Sequence, residues 1–206
     1  MKLRYSPTSP FVRKVMVAAL ETGLIDRIEK VPSSVTPTKP NEDVARENPL
    51  VKVPALITDD GLVLYDSPVI CEYLDSLHSG AKLFPASGNQ RWIALRQQAL
   101  GDGVLEAAIL NRYEQLRPKE YQWPEWTDGQ MRKVRGALGA LEIEAEQGLL
   151  RGPLTIGLLT IGCALGYLDF RYAQEQWRQR APNLARWYDD FAERPAMRQT
   201  VPQDPK

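Results

Sequence analysis

Asn48-Pro49-Leu50-Val51-Lys52-Val53-Pro54-Ala55-Leu56-Ile57, continued through Thr58-Asp59-Asp60-Gly61 to Leu62-Val63-Leu64-Tyr65 and then Asp66-Ser67-Pro68-Val69-Ile70, is the stretch that decides the fold. Pro54 stands directly before an apolar, strand-like run, and a proline that cannot donate to a ladder belongs at the first residue of a strand or at an edge. A cis Val53–Pro54 bond there would hold a tight turn and leave the Val53 N–H and C=O free for a ligand. Ala55–Thr58 and Leu62–Tyr65, joined through Asp59-Asp60-Gly61, read as a hairpin. Ser67 then reads as an N-cap with Pro68 at the first helical position. A free backbone edge beside a helix N-terminus suits the backbone and carboxylate of a small anionic peptide.

Working outward, Met1–Tyr5 is strand-compatible and Ser6-Pro7-Thr8-Ser9-Pro10 ends it. Val12, Val15, Met16, Ala19 and Leu20 recur at helical spacing, and Gly23 stops that helix. Ile28–Val31 is a second strand, a proline-rich loop runs from Pro32 to Pro40, and a helical turn falls at Glu42–Glu47. With Ser67–Leu77 as the closing helix, the order is β-α-β-α-β-β-α, ending near His78. Ser79–Gly88 is turn-rich and reads as a linker. Beyond it every pattern is helical: about Gln90–Leu116, Thr127–Gln147, Asn183–Glu193, and a short helix after Pro195. Leu154–Leu168 carries no charge but is shorter than the roughly 20 residues a bilayer span needs, so it reads as a buried central helix. Gly157, Gly162 and Gly166 within it imply close approach of neighbouring helices.

Charge and composition exclude several classes. In 206 residues, 26 Lys and Arg balance 26 Asp and Glu. No electrostatic case exists for nucleic acid or an anionic membrane surface. Met1–Pro7 lacks the apolar core of a signal peptide. The two cysteines, Cys71 and Cys163, sit far apart in apolar helical patterns, so a disulfide framework is not expected and a cytoplasmic location is. No metal-ligand cluster and no glycine-rich phosphate loop is present.

Three segments read together, Ser6–Lys14 (S-P-T-S-P-F-V-R-K), Asn48–Leu56 (N-P-L-V-K-V-P-A-L) and Tyr65–Leu74 (Y-D-S-P-V-I-C-E-Y-L), resemble a bacterial-type glutathione S-transferase. The resemblance implies an α/β thioredoxin-like N-terminal domain over residues 1–78 that binds glutathione, and an all-α C-terminal domain over residues 88–206. It implies a cytoplasmic homodimer, built on Ser67–Leu77 and Arg91–Leu105, that transfers glutathione to small electrophiles in detoxification. Glutathione is then a co-substrate, and no metal, nucleic acid or membrane partner is expected. The alternative on the same fold is a non-catalytic glutathione-binding or regulatory interaction protein. A thiol-disulfide oxidoreductase would need cysteine where this chain has Ser9.

The chemistry to be met is that an ordinary thiol, with a pKa near 8.5, is mostly protonated at neutral pH. A helix N-terminus and one hydroxyl donor aimed at sulfur lower it. Ser9, N-cap of the first helix with Pro10 after it, offers both, although capping alone also accounts for a serine there. Tyr5, Ser6 and Thr8 are its local rivals. The resemblance assigns the Val53 backbone, at Val53–Pro54, to the cysteinyl backbone of glutathione and Lys52 to the glycyl carboxylate. It assigns Ser67 to the γ-glutamyl carboxylate and Asp66 to its ammonium. Asp102 of the long helix would reach that ammonium, across the dimer interface. Leu105, Ile109, Tyr113 and Trp123 would wall the second substrate. Arg13 and Lys14 read as surface charges, and His78 as a helix-end residue. Two positions depart from the pattern: Val51 replaces a glycine before the lysine, and Leu158 replaces the carboxylate that would complete a capping box with Thr155.

Overall fold

The computed structural model describes residues 1–204. The chain divides into two compact units, Met1–Ala86 with the chain from Pro195 onward, and Ser87–Arg194.

In the first unit, strand β1 (Lys2–Tyr5) leads into helix α1 (Pro10–Glu21), strand β2 (Glu29–Pro32), helix α2 (Glu42–Glu47), strands β3 (Leu56–Ile57) and β4 (Val63–Leu64), and helix α3 (Ser67–Ser76). This is the order read from the sequence. The sheet runs β2-β1-β3-β4, with β1 and β2 parallel and β3 antiparallel to both β1 and β4. Leu3 and Leu56 pair across β1 and β3, and both are fully buried. Gly61, at φ +88°, turns the hairpin where a side chain would be strained, and the Thr58 N–H closes it on the Leu62 carbonyl at 2.9 Å.

Helix α1 starts on Ser9 and ends in a Schellman turn. Gly23, at φ +70°, donates to the Leu20 carbonyl, and Leu24 donates to that of Ala19. Arg13 and Lys14 are both buried, which corrects their reading as surface charges. For Arg13 the cause is the end of the chain. Helix α9 (Pro195–Gln199) packs on α1, and Arg13 donates through Nη2 to the Met197 carbonyl at 3.2 Å and through Nε to Thr200 Oγ1 at 3.4 Å. The Lys14 ammonium stands 5.9 Å from the centre of the Phe11 ring. The last helix therefore belongs to the first unit, whereas the sequence reading ran the helical half to the C-terminus.

The second unit holds α4 (Gly88–Gln115), α5 (Pro124–Glu146), α6 (Ile156–Arg171), a short α7 (Trp177–Arg180) and α8 (Pro182–Ala192). Helix α5 begins at Pro124, three residues before the position read from the apolar periodicity, and α7 has no counterpart in the sequence reading. Residues Ile156 to Leu168 of α6 are buried throughout, as its uncharged run implies. Its packing against α4 depends on missing side chains. A Cβ on Gly157 would lie 2.6 Å from both the Ala94 carbonyl oxygen and Gln97 Cβ, and one on Gly101 of α4 would lie 2.9 Å from Thr160 Cγ2. Thr155 caps α6 by accepting the Leu158 N–H at 3.4 Å, and the Leu158 side chain is buried. Among the described residues no helix is long and apolar enough to cross a membrane.

Candidate glutathione site

Strand register gathers the candidate residues. Lys2 of β1 pairs with Ile57 and Leu3 with Leu56, so the C-terminal end of β1 lies beside the N-terminal end of β3. Leu56 pairs with Leu64, so the C-terminal end of β4 lies there too. The chain leaving β1 reaches Ser9, the chain entering β3 passes Lys52-Val53-Pro54, and the chain leaving β4 reaches Asp66-Ser67. All six residues thus belong to loops at one end of one sheet.

Ser9 has extended backbone angles, φ −78° and ψ 119°, and its Oγ accepts the Val12 N–H at 3.3 Å. Capping consumes one lone pair. A hydroxyl also carries a proton to donate, and no acceptor takes it among the described residues. Capping and thiolate donation are therefore compatible roles rather than rivals. Tyr5 is a strand residue whose carbonyl accepts from Ser33 at 2.8 Å and whose ring lies under the Lys30 ammonium, 5.3 Å from its centre. Ser6 and Thr8 are within 3.4 Å of each other, hydroxyl to hydroxyl.

The loop before β3 is built by a residue the sequence reading passed over. Asn48 is buried. Its Nδ2 donates to the Lys52 carbonyl at 3.0 Å, its Oδ1 accepts the Leu50 N–H at 3.0 Å, and its carbonyl accepts the Val51 N–H at 2.8 Å. The available signal was an Asn-Pro pair, whose side chain closes local turns. Val51 stands at φ +52°, in the left-handed region, so the departure from glycine is one of conformation as well as size. The Val53–Pro54 bond is cis. Ala55 accepts the Arg4 N–H at 2.9 Å, which ties the loop to β1, while the Val53 N–H and C=O make no hydrogen bond among the described residues. Lys52 is exposed.

At α3 the N-cap is Asp66, with Ser67 and Pro68 as the first two helical residues; this corrects the placement of Ser67 as cap by one position. The Asp66 side chain makes no capping bond and is exposed, and the Tyr65–Asp66 peptide is also cis. Ser67 is buried, in the turn whose N–H groups open the helix. Asp102 lies mid-way along α4 in the second unit, half-buried. His78 is structural: Nε2 meets Asp75 Oδ1 at 3.0 Å and Nδ1 accepts the Gly80 N–H at 3.1 Å, while the buried Asp75 carboxylate also accepts the Leu83 and Phe84 N–H groups. No group of three or more His, Cys, Asp or Glu side chains is placed to hold a metal ion among the described residues.

Comparison with known proteins identifies the family. The family described as glutathione S-transferase, N-terminal domain, matches residues 8–77, and that described as glutathione S-transferase, C-terminal domain, matches residues 124–190. The uncharacterized GST-like protein YibF of Escherichia coli K12 is 32% identical over 204 residues, 98% of each chain. The chain belongs to the glutathione S-transferase family. A glutathione transferase family member from Pseudomonas fluorescens Pf-5, crystallised with bound glutathione, is 46% identical with a TM-score of 0.96, over 98% of this chain and 99% of that one. A second structure of a family member from the same strain, with bound S-(propanoic acid)-glutathione, is 45% identical with a TM-score of 0.91, over 99% and 100% of the two chains. The glutathione S-transferase fold, a small mixed sheet with helices followed by a helical domain, is therefore the fold of this chain.

Proposed function

We propose that this chain is a bacterial-type glutathione transferase with serine at the thiolate position. The carrying observation is Ser9. Its oxygen accepts from Val12 within the first turn of α1, its proton is uncommitted, and the positive end of a 12-residue helix lies behind it. Glutathione, held by the residue 1–78 domain, would pair its cysteinyl backbone with Val53 at the Val53–Pro54 turn. Its γ-glutamyl carboxylate would take the N–H groups and hydroxyl at Ser67, with Asp66 on the ammonium and Lys52 on the glycyl carboxylate. Asp102 of the all-helical domain from residue 88 would reach that ammonium across the dimer interface, and side chains of that domain would surround the electrophile.

The thiol first loses its proton to solvent, and the resulting thiolate is held by the Ser9 O–H and the helix terminus. Sulfur then donates an electron pair to an electrophilic carbon. A carbon–sulfur bond forms, and either a leaving group departs with its bonding pair or an alkene carbon takes up a proton. The relative that binds S-(propanoic acid)-glutathione holds a thioether of the kind such a step produces. A homodimeric, cytoplasmic enzyme acting on small electrophiles in detoxification completes the reading. Exposed Val69 on α3, and Trp92 and Ile93 on α4, support self-association; a stable monomer by light scattering at micromolar concentration would overturn it.

The test is a pH–rate profile against a chlorodinitrobenzene, with glutathione binding followed by calorimetry. Ser9→Ala should raise the apparent thiol pKa and slow conjugation at neutral pH about ten-fold or more, because a hydrogen bond to a charged group is worth roughly 1.5–3 kcal/mol. Tripeptide affinity should change little. An unchanged profile would reduce Ser9 to a cap, and glutathione binding without turnover would favour the non-catalytic alternative.

A further inference from the structure

The second unit contains a half-buried cation that no acid pairs with among the described residues. Arg112, near the C-terminal end of α4, forms no ion pair or hydrogen bond through its side chain among the described residues. Two acids, Glu114 two residues along the chain and Glu175 whose charge, like that of Arg112, bears on Tyr172, are committed elsewhere. Glu114 pairs with Arg117 at 3.1 Å, and Glu175 with Arg135 at 2.9 Å. The contrast is Arg178, equally half-buried, which is spent on Asp169 at 2.8 Å and Asp189 at 2.5 Å.

What surrounds Arg112 is aromatic and donor-rich. Tyr172 anchors the spot by donating to the Ala108 carbonyl at 2.6 Å, with Asn111 Oδ1, one residue before Arg112, 3.1 Å from the same hydroxyl oxygen. The Tyr167 ring lies 6.5 Å from that of Tyr172. Tyr167 is 4% exposed, yet its hydroxyl, like that of Tyr113, makes no hydrogen bond among the described residues. Burial raises the Tyr167 phenol above its ordinary range and the charges of Arg112 and Arg171 pull it back, so all of these groups bear on one another and the phenol stays a donor at neutral pH. The Arg171 guanidinium lies 3.7 Å from the Phe170 ring centre.

A planar guanidinium fork matches a carboxylate bidentately, and two phenolic O–H donors suit its remaining lone pairs. We propose that Arg112, with the Tyr113 and Tyr167 hydroxyls, binds the carboxylate of a small organic acid whose apolar body lies on the neighbouring aromatic rings. In the transferase reading, on which this clause rests, the second substrate is an acidic electrophile.

The test uses the full chain, titrated calorimetrically with 3-phenylpropanoate and with its neutral amide. The acid should bind about ten-fold or more tightly than the amide. Arg112→Gln should abolish that preference, Arg112→Lys should retain part of it, and Tyr167→Phe should weaken the acid alone. Melting curves check that the variants fold. Equal affinities for acid and amide, or an acid preference that survives Arg112→Gln, would overturn the proposal. Glutathione titrated in parallel separates the two readings: loss of acid binding with glutathione binding intact sinks this site alone, and the reverse sinks the transferase reading alone.

Discussion

A hydroxyl has one proton to give and two lone pairs to receive with, and Ser9 spends only a lone pair on its helix. Single residues elsewhere carry comparable weight. Val51 holds a β-branched side chain at φ +52°, where a non-glycine residue costs of order 1–3 kcal/mol. Val51→Gly should therefore raise the melting temperature, with part of the gain offset by the greater freedom of glycine in the unfolded chain. A lowered melting temperature would show that the Val51 side chain packs more strongly than its backbone is strained. Glu142 is a second case. Helix α8 has alanine at its N-cap, and the Glu142 carboxylate of α5 accepts the Asn183 and Leu184 N–H groups at 3.0 and 2.8 Å in its place. Burial pushes the Glu142 carboxyl up, but the Leu184 and Asn183 donors outweigh it and hold the carboxyl below its ordinary value of 4.5. The unfolded chain thus takes up this proton first. The stabilisation is complete above that ordinary value and is lost as pH falls through the lower folded one. Glu142→Gln should cost about 0.5–2 kcal/mol at neutral pH, and the gap from wild type should narrow in denaturation curves taken below pH 4.5.

Helices α4 and α6 meet through absent side chains. A methyl group on Gly157 would press into the Ala94 carbonyl and Gln97. Gly157→Ala should therefore destabilise by about 1–3 kcal/mol despite the better helix propensity of alanine, read as a lower denaturation midpoint. The sequence suggested that Leu158→Asp would complete the capping box begun by Thr155. The element refuses that repair, because Leu158 is 6% exposed. The substitution should lower the melting temperature, since a carboxylate placed there loses its water and the apolar contacts of leucine together. A rise would show that the first turn of α6 opens enough to let the acid cap.

At the scale of the whole molecule, the decisive feature is the return of the C-terminus to the first unit. Met197 is fully buried, and its carbonyl takes the Arg13 guanidinium. Met197→Ala should cost about 2–5 kcal/mol, seen in urea denaturation. An unchanged midpoint would make α9 a passive covering. The order of elements along the chain, the hairpin, the helix starting at Ser9 and the long apolar helix were all legible in the sequence. Each depends on neighbours in the chain: a proline without an N–H, a glycine free at positive φ, apolar residues at a fixed period. The same locality gave the three loops that the register of β1, β3 and β4 brings to one sheet end. What neighbours in the chain cannot encode is who lies opposite. Arg13 looks like a surface charge until α9 covers α1, Leu158 looks like a failed cap until its burial is seen, and Arg112 looks like one charge among many until nearby acids prove committed elsewhere. Burial and pairing are sums over residues distant in sequence, and only the tertiary structure performs that sum.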